Sequence, residues 1–243
     1  MACDNRKIMI PNELIESLVS TNFDLAELRV LLGLLHAQDI VDGWDIDLQT
    51  PGTSPSFFLP SADLRVRVFP PSAHDNRTIR AALPGLRGSG WFEQVDICKS
   101  GKFITWTFTD NITQWMVERP HPYTLVDLTL VRRMKSRAQL TAYLTVRSKI
   151  EMMYPMFEVI VSEQDWKAQR QIFIRALAQI ATPLGATFYV ASCYHRDRPE
   201  LGRLVVKIVT EKTRWKGYGL KKFDRNTGIT VIRPSKEVPS SVQ

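Results

Sequence analysis

The sequence lacks most signals that mark an enzyme, a secreted scaffold or a membrane protein. Its 243 residues hold 3 cysteines, Cys3, Cys98 and Cys193, far apart in the chain. So odd and sparse a set argues against a disulfide framework and for a reducing compartment. The 4 histidines, His36, His74, His121 and His195, are scattered. Cys193 and His195 are close, but no second ligand pair supports a zinc site. Gly85, Gly88 and Gly90 lack dinucleotide-binding spacing, and no phosphate-binding loop of the Walker type occurs. No His-hydrophobic-His pair suggests a nicking enzyme, and no pair of carboxylates stands out as an acid/base couple. The expectation is a non-enzyme without cofactor or metal.

Long apolar runs are also missing. Stretches such as Val30–Leu35 are far too short to cross a bilayer. The opening residues, Met1 to Lys7, have no apolar signal segment behind them. A cytoplasmic protein with no membrane partner is expected. Apolar residues nevertheless make up 44% of the chain, enough for proper cores.

Charge is present in excess but unevenly. The net charge is +7, and the split about Pro120 tells more than the sum. Residues 1–120 hold 11 basic and 15 acidic side chains, a net of −4; residues 121–243 hold 21 and 10, a net of +11. The second half can neutralise phosphates, whereas the first mostly cannot.

The chain reads as one plan used twice. Leu25, Leu28, Leu31, Leu32 and Leu35 share a helical face, and Asp24 with Glu27 has the spacing of a capping pair. A loop follows at Thr50–Ser56. The stretch Asp75–Leu86 predicts a second helix, with Ile79, Ala82, Leu83 and Leu86 inward and Arg77, Arg80 and Arg87 off centre. Two strands follow, Trp91–Ile97 and Lys102–Thr109, joined at Lys99-Ser-Gly101. Ile104, Trp106 and Phe108 alternate with threonines, as in a strand buried on one face.

The second copy opens with a helix around Leu128–Lys149, then a short helix or turn at 154–163. A strong helix spans Asp165–Ala181, with Ser162 and Asp165 spaced as a capping pair. A hairpin closes it: strand Ala186–Cys193, polar tip Tyr194–Gly202, strand Arg203–Thr210. Ile79-Arg80-Ala81 matches Ile174-Arg175-Ala176, Val95 matches Val190, and Gly101-Lys102 matches Gly202-Arg203. The order helix, helix, hairpin implies an α+β chain of two tandem winged helix-turn-helix domains in pseudo-repeat. Pro120-His-Pro122 marks the boundary, giving domains 1–120 and 121–243.

The helix Asp165–Ala181 is the candidate for the DNA major groove. Trp166, Phe173, Ala176, Leu177 and Ile180 form its inward stripe. Lys167, Gln171 and Arg175 point away from that stripe, and Arg170 lies on its flank. Arg pairs bidentately with guanine and Gln with adenine; an ordinary solvated face is the alternative. Arg196, Arg198 and Arg203 on the hairpin would straddle a backbone or probe the minor groove. Arg132, Arg133, Lys135 and Arg137 form a dense basic run, either phosphate contacts or a helix end attracting cations. Arg77 and Arg80 complete the DNA-binding candidates. The tail from Glu211 mixes eight basic and three acidic residues with Trp215, Tyr218 and Phe223. It suits nucleic acid, or packing on its own domain.

These segments resemble the iteron-binding plasmid replication initiators over about Asn22–Thr210. Within Ala168–Ile180, the residues Arg170, Ile172, Phe173, Ala176 and Ile180 stand where that family has its Arg, apolar pair, Ala and Ile. Gly202-Arg203 matches the family's Gly-Arg before the last strand. Met134-Lys-Ser through Tyr143 resembles the helix that opens the family's second domain. Departures are Thr141-Ala-Tyr-Leu in place of Arg-Leu-Tyr-Glu, Gln179 for a usual Glu, and Ala168 for an aromatic. The resemblance implies that the second domain binds repeated origin sites in double-stranded DNA. The first would contact DNA in the monomer and form the interface of a homodimer. Monomers would help melt adjacent DNA and recruit host replication initiation proteins; dimers would repress their own gene. A tandem winged-helix transcription regulator and a non-DNA-binding adaptor are the rival readings.

Overall fold

The computed structural model describes residues 6–41, 44, 56–118, 122–162, 166–194, 201–212 and 229–235. The chain divides into two compact units, Met1–Leu140 and Thr141–Gln243. This corrects the boundary expected at Pro120, and strand pairing is the reason. β1 (Lys7–Pro11) runs antiparallel to β5 (Tyr123–Asp127), with Ile8 opposite Val126. Residues just past the prolines therefore return to the first unit. The new division moves four cations and one acid across. Unit 1 then holds 15 basic and 16 acidic residues, a net of −1; unit 2 holds 17 and 9, a net of +8.

Unit 1 is built around one buried helix. After α1 (Asn12–Ser20) comes α2 (Leu25–Ile40). Its start is the capping pair seen in the sequence: Glu27 N–H donates to Asp24 Oδ1 at 2.8 Å, and Asp24 N–H donates to Glu27 Oε2 at 2.6 Å. Burial is wider than one stripe, for every residue from Leu28 to Gln38 is inside. β2 (Phe57–Pro60) and α3 (Ser61–Val68) follow. Gly33 lets α3 approach α2, since a Cβ there would lie 2.5 Å from Leu64 Cδ1.

The second predicted helix is α4 (Arg77–Arg87), with Ile79, Ala82, Leu83 and Leu86 buried as expected. The hairpin is β3 (Phe92–Ile97) and β4 (Phe103–Phe108), and the sheet order is β2-β4-β3. Ile104, Trp106 and Phe108 are buried. Thr107 is buried too, against the simple alternation. α5 (Asp110–Glu118) follows the sheet.

The helix expected over Leu128–Lys149 is two helices, α6 (Leu128–Arg133) and α7 (Arg137–Lys149). Asp127 Oδ1 caps α6 by accepting from Thr129 N–H at 2.7 Å. Arg29 then takes the carbonyls of Arg132 and Met134, so the chain leaves helical form there. Ser136 Oγ accepts from Gln139 N–H at 3.2 Å, and Gln139 Oε1 from Lys135 N–H at 2.7 Å. These bonds start a new helix. The boundary between the units falls within α7.

Unit 2 has a four-stranded sheet. Residues 154–163, expected as a short helix or turn, instead contain β6 (Met156–Ser162). Its backbone completes the edge of β8 (Leu201–Val209), which pairs on its other side with β7 (Thr187–Tyr194). β9 (Ile229–Ile232) adds to β7, giving the order β6-β8-β7-β9. That part of the basic tail joins the sheet; Trp215, Tyr218 and Phe223 lie outside the described residues. α8 (Trp166–Leu184) buries Ala176, Leu177, Ile180 and Ala181, while Trp166 and Phe173 are half-buried. Gly185 ends it at φ +57, a left-handed position that suits glycine.

The two units share a three-strand order, β2-β4-β3 and β6-β8-β7. They differ before the helix that leads into the hairpin. Unit 1 inserts α3, whereas only three residues separate β6 from α8. The glycines matched in the sequence also part company. Gly101 sits in the β3–β4 turn at φ +72. Gly202 lies within β8, where a Cβ would meet the Trp166 ring at 2.4 Å.

Candidate nucleic-acid interface

α8 carries its polar donors outward. Lys167, Gln171 and Arg175 are exposed at four-residue spacing, which places them along one helix face. Ile172, 51% exposed, and Gln179 border the same face. An outward isoleucine between long donors suits a thymine methyl.

Arg170 behaves differently from the flank donor expected. Its Nε donates to Ser192 Oγ on β7 at 2.9 Å, and one terminal nitrogen to Thr230 Oγ1 on β9 at 3.2 Å. Half-buried, it ties α8 to two strands of the sheet. Arg170→Ala should therefore cost about 1–2 kcal/mol in urea unfolding, the scale of a charge-assisted hydrogen bond with partial solvent access. Any loss of DNA affinity should be equal on specific and random duplexes. Unchanged stability with lost site preference would return Arg170 to the base-reading set.

Two more candidates are engaged inside their units. Arg203 is a strand residue, as the sequence placed it, opposite Cys193 and Ile160, and it pairs with Glu158 at 3.4 Å. Arg137 donates to the carbonyls of Phe23, at 2.6 Å, and Thr21, fixing the start of α7. Both guanidiniums are engaged within the protein. Arg196 and Arg198, with most of the Tyr194–Gly202 tip, lie outside the described residues, as does Asp165 of the second capping pair.

In unit 1 the corresponding surface is α4 with the β3–β4 turn. Arg77 and Arg80 are exposed; Arg77 pairs with Asp75 at 3.3 Å on open surface, a weak tie. Arg80 and Arg175, matched in the sequence, both face outward. The turn is clamped to α4 by a polar cluster. Asn76 Nδ2 donates to Gly101 O at 2.6 Å and to Ser61 Oγ at 2.9 Å, while Arg65 donates to Asn76 Oδ1 at 3.0 Å. Arg80 lies over Gly101, where a Cβ would meet its guanidinium at 2.8 Å. Lys99 and Lys102 flank that turn and are exposed. Cys98 is there as well; its thiol is pulled down to about 7 by the Ser100 hydroxyl and then the Phe103 N–H.

The run 132–135 is placed elsewhere in unit 1. Arg132, Arg133 and Lys135 line a cleft together with Arg6 and Arg29. Arg29 and Arg6 were not singled out from the sequence. The available signal was a lone arginine inside the leucine run of α2.

No protein-family model matches the chain, and no curated protein matches it. Among the described residues no group of three metal-ligating side chains occurs, and no helix is long and apolar enough to cross a membrane. A solved structure does match: a Pi initiator protein in complex with iteron DNA, at TM-score 0.56 and 15% identity. The alignment covers 85% of this chain and 98% of that one, and so spans both units. The chain thus has a fold similar to that of an initiator protein solved on iteron DNA.

Proposed function

We propose that this chain binds double-stranded DNA sequence-specifically, as a non-enzymatic replication initiator of two tandem winged-helix units that reads repeated origin sites. The observation that carries the reading is the α8 face: three exposed donors, Lys167, Gln171 and Arg175, on a helix braced against the sheet of a unit with net charge +8. The shared strand order of the units and the likeness to an initiator on iteron DNA support it. α8 enters the major groove of one half-site, and α4 with Arg77, Arg80, Lys99 and Lys102 grips the backbone beside another. Unit 1 is nearly neutral, which suits contacts to a second copy and to host initiation proteins. A dimer repressing its own gene belongs to the same proposal.

The test is a footprint over the DNA around the gene, followed by mobility shifts with variants. Several direct repeats protected in phase support the initiator; a single palindrome supports a transcription regulator. Arg175→Ala should lose about 1–3 kcal/mol on the specific site, roughly 5- to 150-fold, and less on random DNA. Base contacts specify, whereas phosphate contacts only position. The exposed Arg175 can be removed without harm to the core. A folded variant with unchanged preference for its site would remove Arg175 from the reading face.

A further inference from the structure

The cleft of about 760 Å³ in unit 1 is lined by five cations, Arg6, Arg29, Arg132, Arg133 and Lys135. No carboxylate lines it among the described residues. Like charges gathered around one cavity repel, and the repulsion grows as water is excluded. Arg29 is the sharpest case, at 8% exposure. Its terminal nitrogen donates to the Arg132 carbonyl at 3.0 Å and to the Met134 carbonyl, and its guanidinium lies over the Phe69 ring at 5.7 Å. No carboxylate neutralises it in the described structure. Its Nε, and that of Arg132, are buried donors without a partner among the described residues. Buried charges are ordinarily paired, and buried donors ordinarily bonded.

The cleft is separate from the α4 surface. Leu25 and Arg29, one turn apart on α2, line it. Glu27, about 200° around the helix from either, lies against Gly85 of α4 instead. An anion held in the cleft therefore sits on the opposite side of α2 from α4.

We propose that this cleft is a binding site for the phosphate groups of a nucleotide-sized ligand. A phosphate presents several strong acceptor oxygens, which suits guanidinium N–H groups and the hydroxyls of Ser72 and Thr129, all of which line the cleft. The volume leaves room beyond the phosphate and falls in the range of small-ligand sites, about 300–1,000 Å³. Leu25, Pro70 and Pro71 supply an apolar wall for the rest of the ligand. The source of the phosphate is a free nucleotide or a nucleotide unit of bound DNA.

The experiment is calorimetric titration of the full chain with ATP, pyrophosphate and inorganic phosphate, without magnesium. ATP and pyrophosphate should bind. Arg133→Ala/Lys135→Ala, two exposed positions, should weaken them at least tenfold. Lys7→Ala/Lys212→Ala, which removes the same charge elsewhere, should not. Repeating the titration with saturating duplex distinguishes the sources. Undiminished binding assigns the cleft to a free ligand, and displacement by DNA assigns it to a backbone phosphate. The site does not depend on the DNA reading, since a chain that ignores duplex would still bind pyrophosphate. No binding of ATP or pyrophosphate by the wild-type chain would overturn the proposal. Equal weakening by the two double variants would do the same, because it would reduce the effect to net charge.

Discussion

On the proposed DNA-binding reading, raising salt from 50 to 200 mM should weaken binding of the chain to duplex DNA roughly a thousandfold. The outward cations of the two candidate surfaces are Lys167 and Arg175 on α8, and Arg77, Arg80, Lys99 and Lys102 at α4 and its turn. Each cation that meets a phosphate releases condensed counterions, so the slope of log affinity against log salt is about −0.9 per contact. Contacts from about six such cations give a slope near −5, or about 4 kcal/mol over that range. Arg137, Arg170 and Arg203 should add little, because their guanidiniums are engaged within the protein. Mobility shifts or fluorescence anisotropy at four or five salt concentrations measure the slope. A flat titration would contradict the electrostatic reading and favour the adaptor. Arg80→Ala should make the slope shallower by about one.

The largest stability effect is expected at Trp106, at the centre of unit 1. It is 2% exposed, lies on the middle strand β4 and stacks on Phe57 with ring centroids 5.8 Å apart. Its indole Nε1 donates to Gln38 Oε1 at 3.0 Å, a buried bond between the sheet and α2. Trp106→Ala opens a cavity between helix and sheet and removes that donor. The cost should be about 3–5 kcal/mol, within a total that for most domains is only about 5–15 kcal/mol. Trp106→Phe keeps most of the packing and loses the hydrogen bond, so its cost should be clearly smaller. Urea unfolding followed by circular dichroism reads both. A loss below about 1 kcal/mol for Trp106→Ala would mean that unit 1 does not depend on this helix–sheet contact.

Much of the fold was legible where its cause is local. Asp24 and Glu27 cap α2 because their bonds reach only three residues. Ile79, Ala82, Leu83 and Leu86 are buried because helical period fixes which side chains share a face. The β3–β4 hairpin follows from alternation and a glycine turn. The outward face of α8, with Lys167, Gln171 and Arg175, came from the same periodicity. The run 156–162 was missed as a strand. Its pairing partner β8 lies some forty residues on, so its own turn-like start was misleading.

What the sequence determined by itself was thus the set of periodic stripes, the cap of α2, the hairpins and the excess of positive charge in the second half. Tertiary structure decided how the chain is divided and which cations are available. β5 was drawn back to β1, which moved the boundary from Pro120 into α7. Arg170 went to Ser192 and Thr230, Arg137 to the carbonyls of Phe23 and Thr21, and Arg203 to Glu158. Arg29, unremarkable in a leucine-rich helix, became the buried member of a cationic cleft. The physical reason is reach. Period and capping act within a turn or two of backbone, whereas strand pairing and a long guanidinium side chain find partners tens of residues away, once packing has brought them together.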